Sequence, residues 1–97
     1  MPTLEAIQTT LRRELPYLRV HYHVDTLGVF GSFVRGEQTA GSDLDVLVTF
    51  TETPGLLAFV ALKQYLEDRL GLRVDLGMPD AVKPLLAPSI FEDVQYL

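Results

Sequence analysis

Two aspartates, Asp43 and Asp45, stand two residues apart in "GSDLDVLVTF", where a run rich in Val and Leu begins. In an extended strand, residues two apart project from the same face, with their Cα atoms about 7 Å apart. Neighbouring carboxylates repel each other unless a cation lies between them, and Mg²⁺ prefers carboxylate oxygens together with phosphate oxygens. The pair is therefore a candidate metal site. Taken alone, it also fits a loop end followed by an exposed strand residue.

A second candidate feature is the glycine-serine pair Gly31-Ser32, which ends the strand-like run Leu27–Phe30. A strand that stops at glycine and turns into a helix leaves backbone N–H groups facing outward, and glycine lets a phosphate approach closely. Ser32 adds a hydroxyl donor, although a tight turn without a ligand is an alternative. Arg35 follows, and it can contact a triphosphate or pair with a nearby carboxylate; the sequence leaves both open.

A third carboxylate, Asp75, lies in "RVDLG". Val74 and Leu76 are expected to face the core, which leaves Asp75 on the opposite face of its strand. If that strand neighbours the Asp43/Asp45 strand, three carboxylates converge. The third can then hold a second metal ion and help to deprotonate an attacking hydroxyl.

The elements that must position these residues are predicted in the order α-β-α-β-α-β-α. Thr3 is expected to cap a first helix that Pro16 interrupts or kinks, followed by a second short helical piece over Tyr17–Tyr22. The predicted strands are Leu27–Phe30, Leu44–Phe50 and Arg73–Leu76. The other predicted helices cover Ser32–Gly36, the segment from the Thr53-Pro54 cap to about Leu70 before Gly71, and a region that Asp80 caps.

Length and composition limit the possible functions. The chain has 97 residues, so we expect one domain over residues 1–97. Its net charge of −5 argues against stand-alone binding to nucleic acid. It has no cysteine, no segment typical of a secretory signal, and its longest apolar run, Leu56–Leu62, is too short to span a bilayer. We therefore expect a cytoplasmic protein without a membrane segment.

The combined spacing resembles a known family. The stretch "LGVFGSFVRGEQTAGSDLDVLV" is similar to the pattern "LFGSxARGxxxxxSDxDLLV" of the minimal nucleotidyltransferases (MNT) of the DNA polymerase β superfamily. More narrowly, it resembles the MNT antitoxins that are encoded beside HEPN-domain ribonuclease toxins. The resemblance continues through "RVDLG" to the C-terminal "IFEDVQYL", so it covers almost the whole chain.

The resemblance implies a polymerase β-like core of the α/β (α+β) class, with a small mixed β-sheet flanked by helices. It implies that ATP phosphates bind at Gly31 and Ser32, and that Asp43, Asp45 and Asp75 hold two Mg²⁺ ions and perform catalysis. Arg35 and Ser42 are further expected nucleotide-binding residues. The implied partner is a HEPN toxin, whose tyrosine hydroxyl receives AMP and which thereby loses its ribonuclease activity.

Two other functions remain open at this point. The protein could silence its partner by occlusion alone, with carboxylates that are vestigial or weakly active. It could instead transfer a nucleotide to a small molecule, although relatives of that kind usually carry an additional substrate domain, for which 97 residues leave no space.

Overall fold

A computed structural model describes residues 2–79 and 92–97 of the protein. The first element is helix α1, Leu4–Tyr22. The Thr3 hydroxyl accepts a hydrogen bond from the Ala6 amide at 3.1 Å, which confirms the predicted cap. The helix buries four apolar side chains at helical spacing, namely Ile7, Leu11, Leu15 and Leu18.

The predicted interruption of the helix at Pro16 is wrong, because α1 continues through this residue and includes the Tyr17–Tyr22 piece. Pro16 is exposed, so the carbonyl that loses its helical partner can face solvent. Leu15 and Leu18 on either side of it are buried, and their packing holds the two halves in one helix.

Within the described residues, four strands form one mixed sheet in the order β3-β2-β1-β4, which confirms the predicted fold class. The strands are β1 Val24–Phe30, β2 Leu44–Phe50, β3 Val74–Gly77 and β4 Gln95–Tyr96. Strands β2 and β3 are parallel, whereas β1 is antiparallel to both β2 and β4. Strand β2 has its predicted bounds, β1 begins three residues earlier than predicted, and β4 was not predicted. The predicted helix that begins at Asp80 lies outside the described residues.

Helix α2 covers Ser32–Arg35 and helix α3 covers Leu56–Leu70. The predicted start of α3 at Thr53-Pro54 is wrong, because Gly55 is the N-cap and its carbonyl accepts from the Phe59 amide at 3.0 Å. Helix α3 ends at Gly71 with φ 67°, as predicted.

Helices α1 and α3 cover one face of the sheet. Strand residues on that face belong to a single buried cluster with the helices, and they include Leu27, Val29, Leu44, Val46, Val48 and Val74. Because side chains alternate between the two faces of a strand, Asp45 and Asp75 project from the opposite face. The sheet thus separates the hydrophobic core from the carboxylates. None of the helices in the described ranges is long and apolar enough to cross a membrane.

Candidate active site

Asp45 and Asp75 lie directly opposite each other in the register of the parallel strands β2 and β3. Residues paired in this way project their side chains from the same face. Strands β2 and β3 are therefore neighbours, as the sequence analysis considered, and their pairing brings together two carboxylates from distant parts of the sequence. The pair lies at the start of both strands.

The environment of Asp45 disfavours its charged form. Partial burial, followed by repulsion from Asp75 and then Asp43, raises the pKa of Asp45 to about 6 from an ordinary value of 3.8. The positive charge of Arg35 acts in the opposite direction, and a hydrogen bond with Asp75 adds to the rise. Asp45 thus carries a negative charge at neutral pH that the surrounding protein does not fully compensate.

Asp43 is exposed just before β2, and its carboxylate pairs with the guanidinium of Arg73, with Oδ1 and Nε 3.2 Å apart. This contact draws the carboxylate towards the residue that precedes β3. In residues 2–79 and 92–97, no three Asp, Glu, His or Cys side chains are already arranged around one point as metal ligands. The three aspartate side chains would therefore have to move closer together in order to share one ion.

The turn at Gly31 lies against the carboxylate of Asp45. Phe30 is the β1 partner of Asp45, and Gly31 follows it with φ 80°, a backbone conformation that favours glycine. A Cβ atom at Gly31 would overlap the Asp45 carboxylate. Glycine at this position therefore makes room for Asp45 and not only for a ligand, and Ser32 at the start of α2 follows directly.

Arg35 makes ion pairs, which is one of the two alternatives that the sequence left open. Its Nε lies 2.6 Å from Oε1 of Glu37, and its Nη1 lies 2.8 Å from Oδ2 of Asp93. Ser42 accepts a hydrogen bond at its hydroxyl from the Thr39 amide at 2.9 Å, which shapes the loop before Asp43. Sequence reasoning missed Glu37 and Asp93, and no local pattern around either residue indicates this contact.

The carboxylates fit a hard divalent cation. The three aspartates Asp43, Asp45 and Asp75 offer oxygen ligands only, which Mg²⁺ prefers. The raised pKa of Asp45 reflects uncompensated negative charge, which a bound cation relieves. The residues therefore fit Mg²⁺ chemically.

A surface cavity of about 210 Å³ lies elsewhere, at the other end of β2. Among the described residues its lining consists of Val48, Thr49, Phe50, Thr53, Met78 and Pro79, none of which carries a carboxylate. Because these lining residues lack the groups that metal or phosphate chemistry requires, the candidate active site is the carboxylate pair beside Gly31.

The pKa of Asp45 predicts how metal-free stability depends on pH. The folded protein holds this proton more tightly than the unfolded chain, so the Asp45 contribution to unfolding free energy falls as pH rises from 3.8 to about 6. We expect Asp45→Asn to remove this fall, so the stability difference between variant and wild type grows with pH across that window. Urea unfolding of both proteins in EDTA at several pH values measures this difference in unfolding free energy.

Asp25→Asn is the matched control, because Asp25 is an exposed carboxylate on the neighbouring strand β1. We expect this control to keep the wild-type pH profile. An unchanged profile in Asp45→Asn would contradict the raised pKa.

The chain is similar in sequence and in fold to known proteins. A family model described as a nucleotidyltransferase domain matches residues 9–97. The chain is 46% identical over 97 residues to protein adenylyltransferase MntA of Thermococcus cleftensis, which covers 100% of this chain and 98% of that protein. A solved structure of a candidate minimal nucleotidyltransferase is 34% identical, covers 99% of this chain and 97% of the other, and has a TM-score of 0.80.

A more distant structure shares the fold alone. It contains a tri-AMPylated HEPN toxin of Shewanella oneidensis in complex with MNT antitoxin. The matching chain is 21% identical to this one, and the match covers 93% of this chain and 70% of the other, with a TM-score of 0.66. The match over residues 9–97 decides the assignment. The chain belongs to the nucleotidyltransferase domain family.

Proposed function

We propose that the protein is an antitoxin that transfers AMP from ATP to a tyrosine hydroxyl of a HEPN ribonuclease toxin. The observation that carries the proposal is the pair of carboxylates, Asp45 and Asp75, in register beside the Gly31 turn. The relative from Thermococcus cleftensis, called a protein adenylyltransferase, supports transfer to a protein. The AMPylated HEPN toxin in the more distant complex supports the identity of the partner.

The reaction joins the tyrosine oxygen to the α-phosphorus of ATP and breaks the bond from that phosphorus to the bridging oxygen, so pyrophosphate leaves. The phenolic proton must go to a base. Asp75 is the best candidate for this role, because it is exposed and adjoins Asp45, where an incoming hydroxyl can reach it. The products are tyrosyl-AMP, pyrophosphate and one proton.

The residues of the Gly31 turn are proposed to bind the phosphates. Gly31 brings the backbone close to the carboxylates, and the Ser32 hydroxyl supplies a donor immediately beside it. Mg²⁺, held by Asp45, Asp75 and Asp43, would supply neutralisation of the negative charge on the phosphate oxygens. Because the proposed reaction consumes ATP, we also propose that the protein works in the cytoplasm.

Occlusion remains the second candidate function, because an antitoxin can silence a toxin by covering it. The uncompensated charge on Asp45 favours the enzyme, since a purely occluding protein would gain stability by losing that carboxylate. Transfer to a small molecule is less well supported. The relative from Thermococcus cleftensis is called a protein adenylyltransferase, and the more distant structure is a complex of an antitoxin with a toxin.

We expect the HEPN toxin to gain the mass of one or more AMP units when it is incubated with this protein, ATP and Mg²⁺. Covalent modification outlasts the complex, so the toxin should remain inactive after the antitoxin is removed under mild denaturation and the toxin is refolded. Mass spectrometry and a ribonuclease assay measure the two effects. Asp75→Asn serves as the control that should leave the toxin mass unchanged. A toxin of unchanged mass that regains activity after separation from the wild-type antitoxin would favour occlusion.

A further inference from the structure

Helix α2 carries Ser32 into the candidate site, yet it is a single turn of four residues. An isolated turn of this length is unstable, so contacts with other elements must fix its position. On the inner side, the Phe33 side chain is buried with 2% exposure. On the outer side, Arg35 makes its two ion pairs, to Glu37 nearby and to Asp93 far along the chain.

Asp93 lies just before a C-terminal segment, Gln95–Leu97, that is attached to the sheet and to α1. Strand β4 pairs with Gly28 and Val29 of β1. The Leu97 amide donates to the Leu27 carbonyl at 2.9 Å. In addition, Nε2 of Gln8 in α1 donates to Oε1 of Gln95 at 2.9 Å.

We propose that the Arg35–Asp93 ion pair positions Ser32 and the Gly31 turn for the nucleotide, so that Arg35 acts through Asp93 and not as a ligand of the triphosphate. This inference rests on the proposed function. Arg35 has one N–H group bonded to each of two carboxylates, at 2.6 Å and 2.8 Å, and such charge-assisted bonds hold a guanidinium firmly. Together Arg35, Glu37 and Asp93 carry a net charge of −1, which makes them a poor direct site for a triphosphate.

The two possible roles of Arg35 predict opposite signs for Asp93→Asn. If Asp93 competes with the nucleotide for Arg35, then the loss of its charge frees the guanidinium and tightens ATP binding. If Asp93 positions α2 through Arg35, then the loss of the ion pair weakens ATP binding, even though a negative charge has been removed. The sign of the effect therefore distinguishes positioning from direct contact.

The experiment measures the Kd of a non-hydrolysable ATP analogue with Mg²⁺ for the full chain, at a temperature well below the melting transition of every variant. We expect Asp93→Asn to weaken binding about 10-fold, within the range for a misplaced binding group. We expect Arg35→Gln to weaken binding to a similar extent, and the double variant to be no worse than either single variant. In AMP transfer, the KM for ATP should rise while kcat at saturating ATP stays near the wild-type value.

Glu92→Gln is the matched control, because Glu92 is exposed, adjoins Asp93 and makes no ion pair with another described residue. It removes the same charge from the same segment, and we expect wild-type binding. Tighter binding in Asp93→Asn, or a lower melting temperature with unchanged Kd, would overturn the inference. If the wild-type protein neither binds the analogue nor transfers AMP, then the proposed function itself fails and this inference fails with it.

Discussion

Asp45→Asn is expected to abolish AMP transfer and, at the same time, to raise the melting temperature of the metal-free protein. Asp45 is the partly buried carboxylate between Asp43 and Asp75. If Asp45 holds Mg²⁺ as proposed, its loss should reduce kcat/KM at least about 10³-fold, or about 4 kcal/mol. Removing the cost of the partly buried charge, and with it the repulsion from Asp75 and Asp43, should stabilise the fold by about 1 kcal/mol after allowance for solvent exposure. This raises the melting temperature by about 4–8 °C.

The two effects are measured separately, by toxin modification with ATP and Mg²⁺ and by thermal unfolding in EDTA. Asp25→Asn, which removes an exposed carboxylate from the adjacent strand, is expected to change neither quantity appreciably. Full transfer activity in Asp45→Asn would place the catalytic centre elsewhere. A lower melting temperature at neutral pH would show that Asp45 stabilises the metal-free fold.

Gly31→Ala is expected to cause the second-largest loss of activity with only an ordinary loss of stability. Gly31 has φ 80° and ψ −151°, a backbone conformation that is nearly restricted to glycine and that costs an L-residue about 1–3 kcal/mol. The added methyl group would also overlap the Asp45 carboxylate, which must then move away from Asp75. A displaced carboxylate should lower kcat/KM about 100-fold, the usual scale for a reactive group moved by about 1 Å.

Gly36→Ala is the control for a glycine of positive φ at the other end of α2. Gly36 has φ 71° and ψ 23°, in the left-handed helical region, and a Cβ atom there would meet nothing within 4 Å. We expect Gly31→Ala to lose more unfolding free energy in urea than Gly36→Ala, and we expect only Gly31→Ala to lose transfer activity. Equal activity in the two variants would mean that the Gly31 turn and Asp45 are not coupled.

The sequence indicates those parts of the fold and the site that rest on local patterns. The Val- and Leu-rich run predicts β2 with its observed bounds, and Thr3 and Gly71 mark the observed ends of α1 and α3. The alternation of core residues around Asp45 and Asp75 predicts the face from which their side chains project. These features depend on residues a few positions apart, so they can be predicted from a single sequence.

Other features depend on contacts between distant segments. Asp93 lies 58 residues from Arg35, and nothing near either residue indicates their contact. Asp43 pairs with Arg73 only because β2 and β3 are neighbours. The two-residue strand β4 is too short to give an alternating pattern, and it is defined by its pairing with β1. Helix α1 passes through Pro16 because tertiary packing outweighs the local preference.

Strand β3 has only four residues and lies at one edge of the described sheet, and Asp75 is its second residue. Short edge strands open more readily than central ones, and their amide hydrogens exchange earlier. A cation shared by Asp45 and Asp75 would link this edge to the central strand β2, much as a chemical cross-link does. The rigidity of the edge would then depend on the free Mg²⁺ concentration through ligand linkage. If Asp75 accepts the proton of the acceptor hydroxyl as proposed, strand β3, which carries it, would become fully ordered only when Mg²⁺ is bound.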